Sequence, residues 1–255
     1  MSAQLPIIRV RDLTVGYGRR AVLEKVSFDV YPGEVFVILG GSGCGKSTLL
    51  KHMIGLLRPM AGQVLIEEQD ITTAQGEARR TLLARLGVMY QSGALFGSMT
   101  VLENVRLPLE EYTDLPLEAM DLIARTKLAL VQLAGSGSML PAELSGGMQK
   151  RAAIARAMAL DPPILFLDEP SAGLDPITSA GLDQLILRLA RSLGVTFVVV
   201  THELPSIFTI ADRVIMLDKS ARGIVAEGNP HVLRDTSEDA RVRQFFNREA
   251  VLEAV

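Results

Sequence analysis

The 255 residues carry 26 basic and 29 acidic side chains, interspersed to a formal net charge of −3, which excludes the concentrated positive field that nucleic-acid binding requires. Hydrophobic residues make up 48% of the chain, enough for one large α/β domain or a core with a subdomain, yet no apolar run reaches the roughly 18 to 20 residues that cross a bilayer. Cys44 stands alone, which excludes an intramolecular disulfide and fits a reducing compartment; Met1 to Pro6 lacks the basic stretch and apolar core of a secretory signal, so a cytosolic location is expected.

In chain order, Ile7 to Val15 and Val22 to Val30 read as strands around a turn at Gly16 to Arg20, an antiparallel layer that Pro32-Gly33 ends. The apolar run Val35 to Leu39 predicts a strand, and a helix-like stretch begins near Thr48. Between them lies Gly40-Gly41-Ser42-Gly43-Cys44-Gly45-Lys46-Ser47, with the spacing of a phosphate-binding loop in its strand, loop, helix context. Glycines let successive N–H groups point at phosphate oxygens, and the helix N-terminus adds partial positive charge. Lys46 is expected to bridge the outer phosphates of a nucleotide and Ser47 to ligate Mg²⁺. Cys44 needs only to be small there, so a bulky alkyl group on its sulfur is expected to block nucleotide binding.

Arg79, Arg80 and Arg85, within Glu77 to Arg85, read as the solvated face of a helix. Gly87 to Tyr90 reads as a strand, and from Val101 to Leu140 the character is helical, with Met120, Ile123, Leu130 and Leu133 among the apolar positions, until Pro141 breaks the run. Leu144-Ser145-Gly146-Gly147 then leads into an alanine-rich helix, Met148 to Leu160, carrying Lys150, Arg151 and Arg156. Ser145 and the amides of Gly146 and Gly147 thus form a second helix N-terminus ready for an anion. Since one ATP already has a cradle at Lys46, the spare site points to a second molecule.

The run Ile164 to Leu167 predicts a buried parallel strand that delivers Asp168 and Glu169 at its C-terminal edge, where open α/β sheets bind ligands. Asp168 suits Mg²⁺, held directly or through water, and Glu169 suits orienting or deprotonating the attacking water. Another strand, Thr196 to Val200, ends in Thr201-His202-Glu203, from which His202 can reach a γ-phosphate. His52 and His231 lack such a setting and read as structural. Val214 to Leu217 and Gly223 to Val225 complete the core.

These residues resemble the ATP-binding subunits of ABC transporters, whose signature begins Leu-Ser-Gly-Gly, and the likeness covers nearly the whole chain. It implies an α/β fold with a P-loop NTPase core, an antiparallel β subdomain and a helical signature subdomain. The ATP-binding domain would span 5–240, with the helical part at about 101–160. It also implies two copies facing head to tail, each ATP lying between one copy's phosphate loop and the other's Ser145, Gly146 and Gly147. Under the same resemblance Tyr17 stacks on adenine, Gly40 to Thr48 hold the phosphates, Gln91 touches Mg²⁺ and water, and Ser171 to Asp175 cross the dimer interface. Met148 departs from the glutamine many members carry.

Around Gln91, the stretch Ser92-Gly93-Ala94-Leu95-Phe96 is similar to the ATPases of Mla-type phospholipid transport systems of Gram-negative bacteria, as are Leu144 to Arg151 and the segment Arg241 to Phe246. That likeness implies phospholipid transport between inner and outer membranes, from the cytoplasmic face of the inner membrane. It implies integral-membrane permease subunits as partners, together with a small cytoplasmic regulatory subunit and a periplasmic lipid-binding subunit. Another cargo, an amino acid or a toxic hydrophobic compound, and a soluble clamp protein remain the alternatives. Glu238 to Glu249 reads as an amphipathic helix that docks Val242, Phe245 and Phe246 on a partner or on its own domain; the tail 241–255 is a candidate dimer contact.

Overall fold

The computed structural model describes residues 5–248, so Met1 to Gln4 and the end of the expected tail, 249–255, lie outside the described residues. The chain divides into two compact units, Met1–Ala74 with Val198–Val255, and Gln75–Phe197.

In the first unit, β1 (Ile8–Tyr17) pairs antiparallel with β2 (Arg20–Val30) and β4 (Ala61–Ile66), and β5 (Gln69–Asp70) completes a sheet ordered β2-β1-β4-β5. Burial alternates along β1 until Asp12, whose φ of 46° marks a break in register between Val10 and Leu13. Gly62 faces that break: a Cβ there would lie 2.4 Å from the Asp12 carbonyl oxygen. β3 (Val35–Gly40) is buried along its whole length and parallel to β9 (Arg213–Asp218), which pairs antiparallel with β10 (Gly223–Gly228). A strand covered on both faces reads as a continuous apolar run, which is why Val35 to Leu39 does not alternate. On its other side β3 neighbours β8 (Thr196–Val200), and Thr201 N–H donates to the Ile38 carbonyl at 3.3 Å.

Arg213 fastens these pieces. Its guanidinium bonds Glu34 Oε1 at 2.7 Å, reaches Glu227 and the Asp29 carbonyl, and lies over the rings of Tyr31 and Phe36. The helices of this unit are α1 (Lys46–Met53), α7 (Leu204–Ile210), α8 (Pro230–Thr236) and α9 (Ala240–Asn247). α9 docks at home: Val242 and Phe246 are buried, and Phe246 packs against Phe208 with ring centroids 5.6 Å apart. These two apolar residues therefore serve the unit's own packing, and Phe245 is half-buried beside them. His52 is buried with Nδ1 2.7 Å from the Thr48 carbonyl, and His231 lies against Phe208.

In the second unit, β6 (Leu86–Met89) runs parallel to β7 (Ile164–Asp168). Gly87 is required there, because a Cβ would meet the Ala157 carbonyl oxygen at 2.2 Å. The helices are α2 (Gly76–Ala84), α3 (Val101–Tyr112), α4 (Leu117–Leu130), α5 (Gly146–Ala157) and α6 (Pro176–Leu193), with a 3₁₀ turn at Pro141–Glu143. The helical run expected over Val101 to Leu140 is corrected to two helices followed by turns. Thr113 at the end of α3 and Pro116 at the start of α4 both take extended backbone, so the chain breaks between the two helices. Thr100 starts α3 with a reciprocal box, its Oγ1 accepting from Glu103 N–H at 3.2 Å while Glu103 Oε2 accepts from Thr100 N–H at 2.6 Å. Arg80 is exposed, as expected, but also stacks on Tyr112 and donates to the Glu111 carbonyl.

Candidate functional site

The first unit holds Tyr17, the loop Gly40 to Thr48, and His202. Two loop glycines are fixed by packing: a Cβ on Gly40 would lie 2.3 Å from the Leu217 carbonyl oxygen, and on Gly45 2.9 Å from Val22 Cγ1. At Gly41 and Gly43 an added Cβ meets nothing, so that side of the loop is open to a ligand. Gly43 and Gly45 have φ of 72° and 109°, left-handed values that curl the backbone. Gly45 gives α1 no side-chain cap, so the first turn directs its N–H groups toward the loop. Lys46 Nζ donates to the carbonyls of Gly40 at 2.9 Å and Gly41 at 3.1 Å, which holds the ammonium inside the loop. Cys44 is buried beneath it, and burial raises its thiol pKa above the ordinary value against the pull of the Lys46 charge.

Tyr17 leaves β1 exposed, with its hydroxyl 3.3 Å from Thr48 Oγ1, so its ring is open to stacking beside the loop. His202 follows β8, the strand beside β3, with an exposed side chain whose Nε2 lies 3.8 Å from Glu203 Oε1. The C-terminal ends of two adjacent strands thus present the loop and the imidazole.

The second unit holds Gln91, Ser145 to Gly147, Asp168 and Glu169. Asp168 ends β7 buried, and Glu169 follows, buried, with φ of 48°, a backbone that side chains other than glycine rarely adopt. Such strain clusters at functional sites. Ser145 caps α5, its Oγ accepting from Met148 N–H at 3.3 Å, and Ser145 and Gly146 are exposed while Gly147 is buried. A Cβ on Gly147 would lie 2.4 Å from Thr178 Cγ2. Thr178 in turn is held by Asp175, the cap of α6, so the loop Ser171 to Asp175 and the signature share a packing contact.

Three residues that the sequence leaves without a role organise the loop around Gln91. Lys150 donates to the Gln91 carbonyl, Arg156 to the carbonyls of Gly93 and Ala94, and buried Asn104 to those of Phe96, Met99 and Thr100 while accepting from Phe96 N–H at 2.7 Å. Lys150, Ala153, Ile154 and Ala157 follow the i, i+3, i+4, i+7 stripe of a buried face, and a cation in that stripe was the available signal. Burial lowers the Lys150 pKa, opposed by the carboxylates of Asp168 and Glu169.

A glycine-rich loop between a buried parallel strand and a helix, with carboxylates at the end of another parallel strand, defines a P-loop nucleotide-binding protein. The ABC transporter family pattern matches residues 23–172, and the chain belongs to that family, with an ABC ATPase core, an antiparallel sheet and a helical signature region. It is 40% identical over 242 residues to the intermembrane phospholipid transport system ATP-binding protein MlaF of Escherichia coli K12, covering 94% of this chain and 88% of that one. It is 42% identical over 240 residues to the probable ribonucleotide transport ATP-binding protein mkl of Mycobacterium leprae, covering 94% and 68%. Among solved structures it is similar to the dimeric post-hydrolysis state of the ATP-binding cassette MJ0796 bound to ADP and Pi, with TM-score 0.78, 31% identity and coverage of 87% and 98%. A nucleotide-free ATP-binding cassette from an ABC transporter matches with TM-score 0.82, 26% identity and coverage of 95% and 99%.

Proposed function

We propose that this chain is the ATP-hydrolysing subunit of an ABC transporter that moves phospholipid between the inner and outer membranes, acting as a pair of identical subunits beneath a membrane permease. The observation that carries the two-copy reading is that one chain has two glycine-built helix N-termini, at Gly45 and at exposed Ser145, each suited to phosphate. The cargo rests on the likeness to MlaF over 94% of the chain.

In this reading Tyr17 stacks on adenine and Gly40 to Thr48 hold the phosphates, with Lys46 on the outer ones. Ser145, Gly146 and Gly147 of the second copy meet the γ-phosphate. The metal donors proposed, Ser47, Gln91 and Asp168, are all oxygen ligands, the chemistry Mg²⁺ prefers. Held by these residues, Mg²⁺ would neutralise charge on the leaving phosphates. Glu169 takes the proton of the water whose oxygen bonds to the γ-phosphorus as the bond to the β–γ bridging oxygen breaks, leaving ADP and phosphate. His202 holds the γ-phosphate toward that water.

A recess of about 150 Å³ lined by Leu83, Val88, Pro108, Tyr112 and Arg156, with exposed Phe96 on the Gln91 loop, supports docking of a permease segment on the second unit. Among the described residues no helix is long and apolar enough to cross a membrane. Peripheral attachment at the cytoplasmic face of the inner membrane is part of the proposal. So are a cytoplasmic regulatory subunit, a periplasmic lipid-binding subunit and the division into an ATP-binding domain over 5–240 and a tail over 241–255.

Glu169→Gln tests the chemistry: the variant is expected to hold ATP in a stable dimer with little turnover, and wild-type hydrolysis would remove Glu169 from its role. Copurifying the chain with its permease and identifying the bound small molecule tests the cargo. Phospholipid supports the assignment; a ribonucleotide, for which the mycobacterial relative is named, or an amino acid would overturn it.

A further inference from the structure

The segment after β6 is strapped along one face of α5. Lys150 Nζ donates to the Gln91 carbonyl, Arg156 Nη2 to the Gly93 carbonyl at 2.8 Å and Nη1 to the Ala94 carbonyl at 2.7 Å. Between them Gly93, with φ of 74°, lies alongside the helix, where an added Cβ would be in ordinary contact with Ala153 Cβ at 3.5 Å. These contacts fall at i, i+3 and i+6, a single helix face, and the same helix begins at the Ser145 cap. Asn104 pins the far end of the segment, at Phe96 to Thr100.

Lys150 is costly merely as filler. An ammonium taken out of water is tolerated only with partners, and a methionine or leucine would fill the same space without that penalty. Its partners are a backbone carbonyl of the loop and, through space, the carboxylates of Asp168 and Glu169. One charge thus lies among three features of the site carried by separate elements: the Gln91 loop, the β7 carboxylates and the signature helix.

We propose that Lys150 and Arg156 are positioning residues that splint the Gln91 loop to the signature helix, so that capture of a γ-phosphate at Ser145 and the setting of Gln91 occur as one movement. The proposal rests on the two-copy reading given above. Neither side chain touches the nucleotide; both act through the loop they hold. Capture by a helix whose splint is cut would leave Gln91 unset, so nucleotide would bind normally and turn over slowly.

The test uses Lys150→Met, Lys150→Arg and Arg156→Gln in the full chain. Lys150→Met is expected to leave the KM for ATP within about twofold and to lower kcat about tenfold, equivalent to about 1.4 kcal/mol in the barrier. Lys150→Arg, which retains the charge and a donor, should recover most of that loss. Hydrogen exchange supplies a readout independent of turnover. In a Glu169→Gln background with ATP, amides of residues 91–96 should be protected when Lys150 is present and exchange faster with Lys150→Met or Arg156→Gln. Should Lys150→Met fail to fold, Lys150→Arg and Arg156→Gln carry the test by the same exchange measurement. A wild-type kcat, or protection of residues 91–96 unaltered by the substitutions, overturns the inference. Absence of an ATP-dependent dimer in Glu169→Gln alone would instead strike the two-copy reading, so the two failures are told apart.

Discussion

Gly147 and Thr178 are in contact so close that a single added carbon does not fit: a Cβ on Gly147 would lie 2.4 Å from Thr178 Cγ2. Thr178 cannot easily yield, because its Oγ1 and its N–H are both bound by Asp175. Gly147→Ala is therefore expected to destabilise the second unit by about 1–3 kcal/mol, the usual cost of overpacking. Thr178→Ser removes Cγ2 while keeping the hydroxyl, so the double variant should recover most of the loss. Denaturant titration of the four proteins of the cycle measures the coupling, and strict additivity would show that the contact is not the cause.

Asn104 makes four hydrogen bonds to the loop Phe96 to Thr100 while completely buried. Asn104→Ala leaves the Phe96 N–H and several carbonyls without that partner, at a cost of about 1–3 kcal/mol. Urea unfolding should show the loss, and proteolysis should cut earliest between α3 and β6.

Burial holds the Cys44 thiol above its ordinary pKa of 9.0, so thiolate is scarce at neutral pH. Maleimide labelling of the folded protein is expected to be far slower than labelling in urea and to keep accelerating as pH rises past 9.0. Once attached, the bulky group should abolish ATP binding measured by fluorescent nucleotide, while Cys44→Ala should bind ATP before and after treatment.

Asp239 caps α9, accepting from Arg241 N–H at 2.8 Å, and the Arg241 guanidinium holds its carboxyl down to about 2 from 3.8. A depressed carboxylate adds stability that is fully present above the unfolded value and lost as pH falls through the folded one. The cap should therefore weaken between about 3.8 and 2, and carbon-detected NMR of the Asp239 carboxyl should give a midpoint near the lower figure. A midpoint near 3.8 would dissolve the pairing with Arg241.

Sequence reading recovers what local pattern controls. Val35 to Leu39 and Ile164 to Leu167 are strands because an uninterrupted apolar run suits a sheet covered on both faces, and Ser145 caps α5 because its hydroxyl satisfies a first-turn N–H. Apolar spacing is helical on both sides of Thr113 to Pro116 and does not mark the break there, just as it does not mark Pro108, which α3 accommodates. The burial of Lys150 arises from its contact with the distant Gln91, whereas Asn104 grips a loop only four to eight residues before it and Glu169 takes a left-handed backbone. None of these has a local motif, although a lysine within an alanine-rich stripe was a clue.

Arg213 carries a consequence for behaviour in salt. Its pair with Glu34 is largely sheltered and geometrically forked, whereas Arg234 and Asp235 meet at the surface. Added electrolyte screens exposed pairs strongly and sheltered ones weakly. Molar sodium chloride should thus release the outer bridges one after another and leave β3, β9 and the strands of the neighbouring layer joined, giving a lone-cysteine protein a halotolerant clasp that no reductant can open.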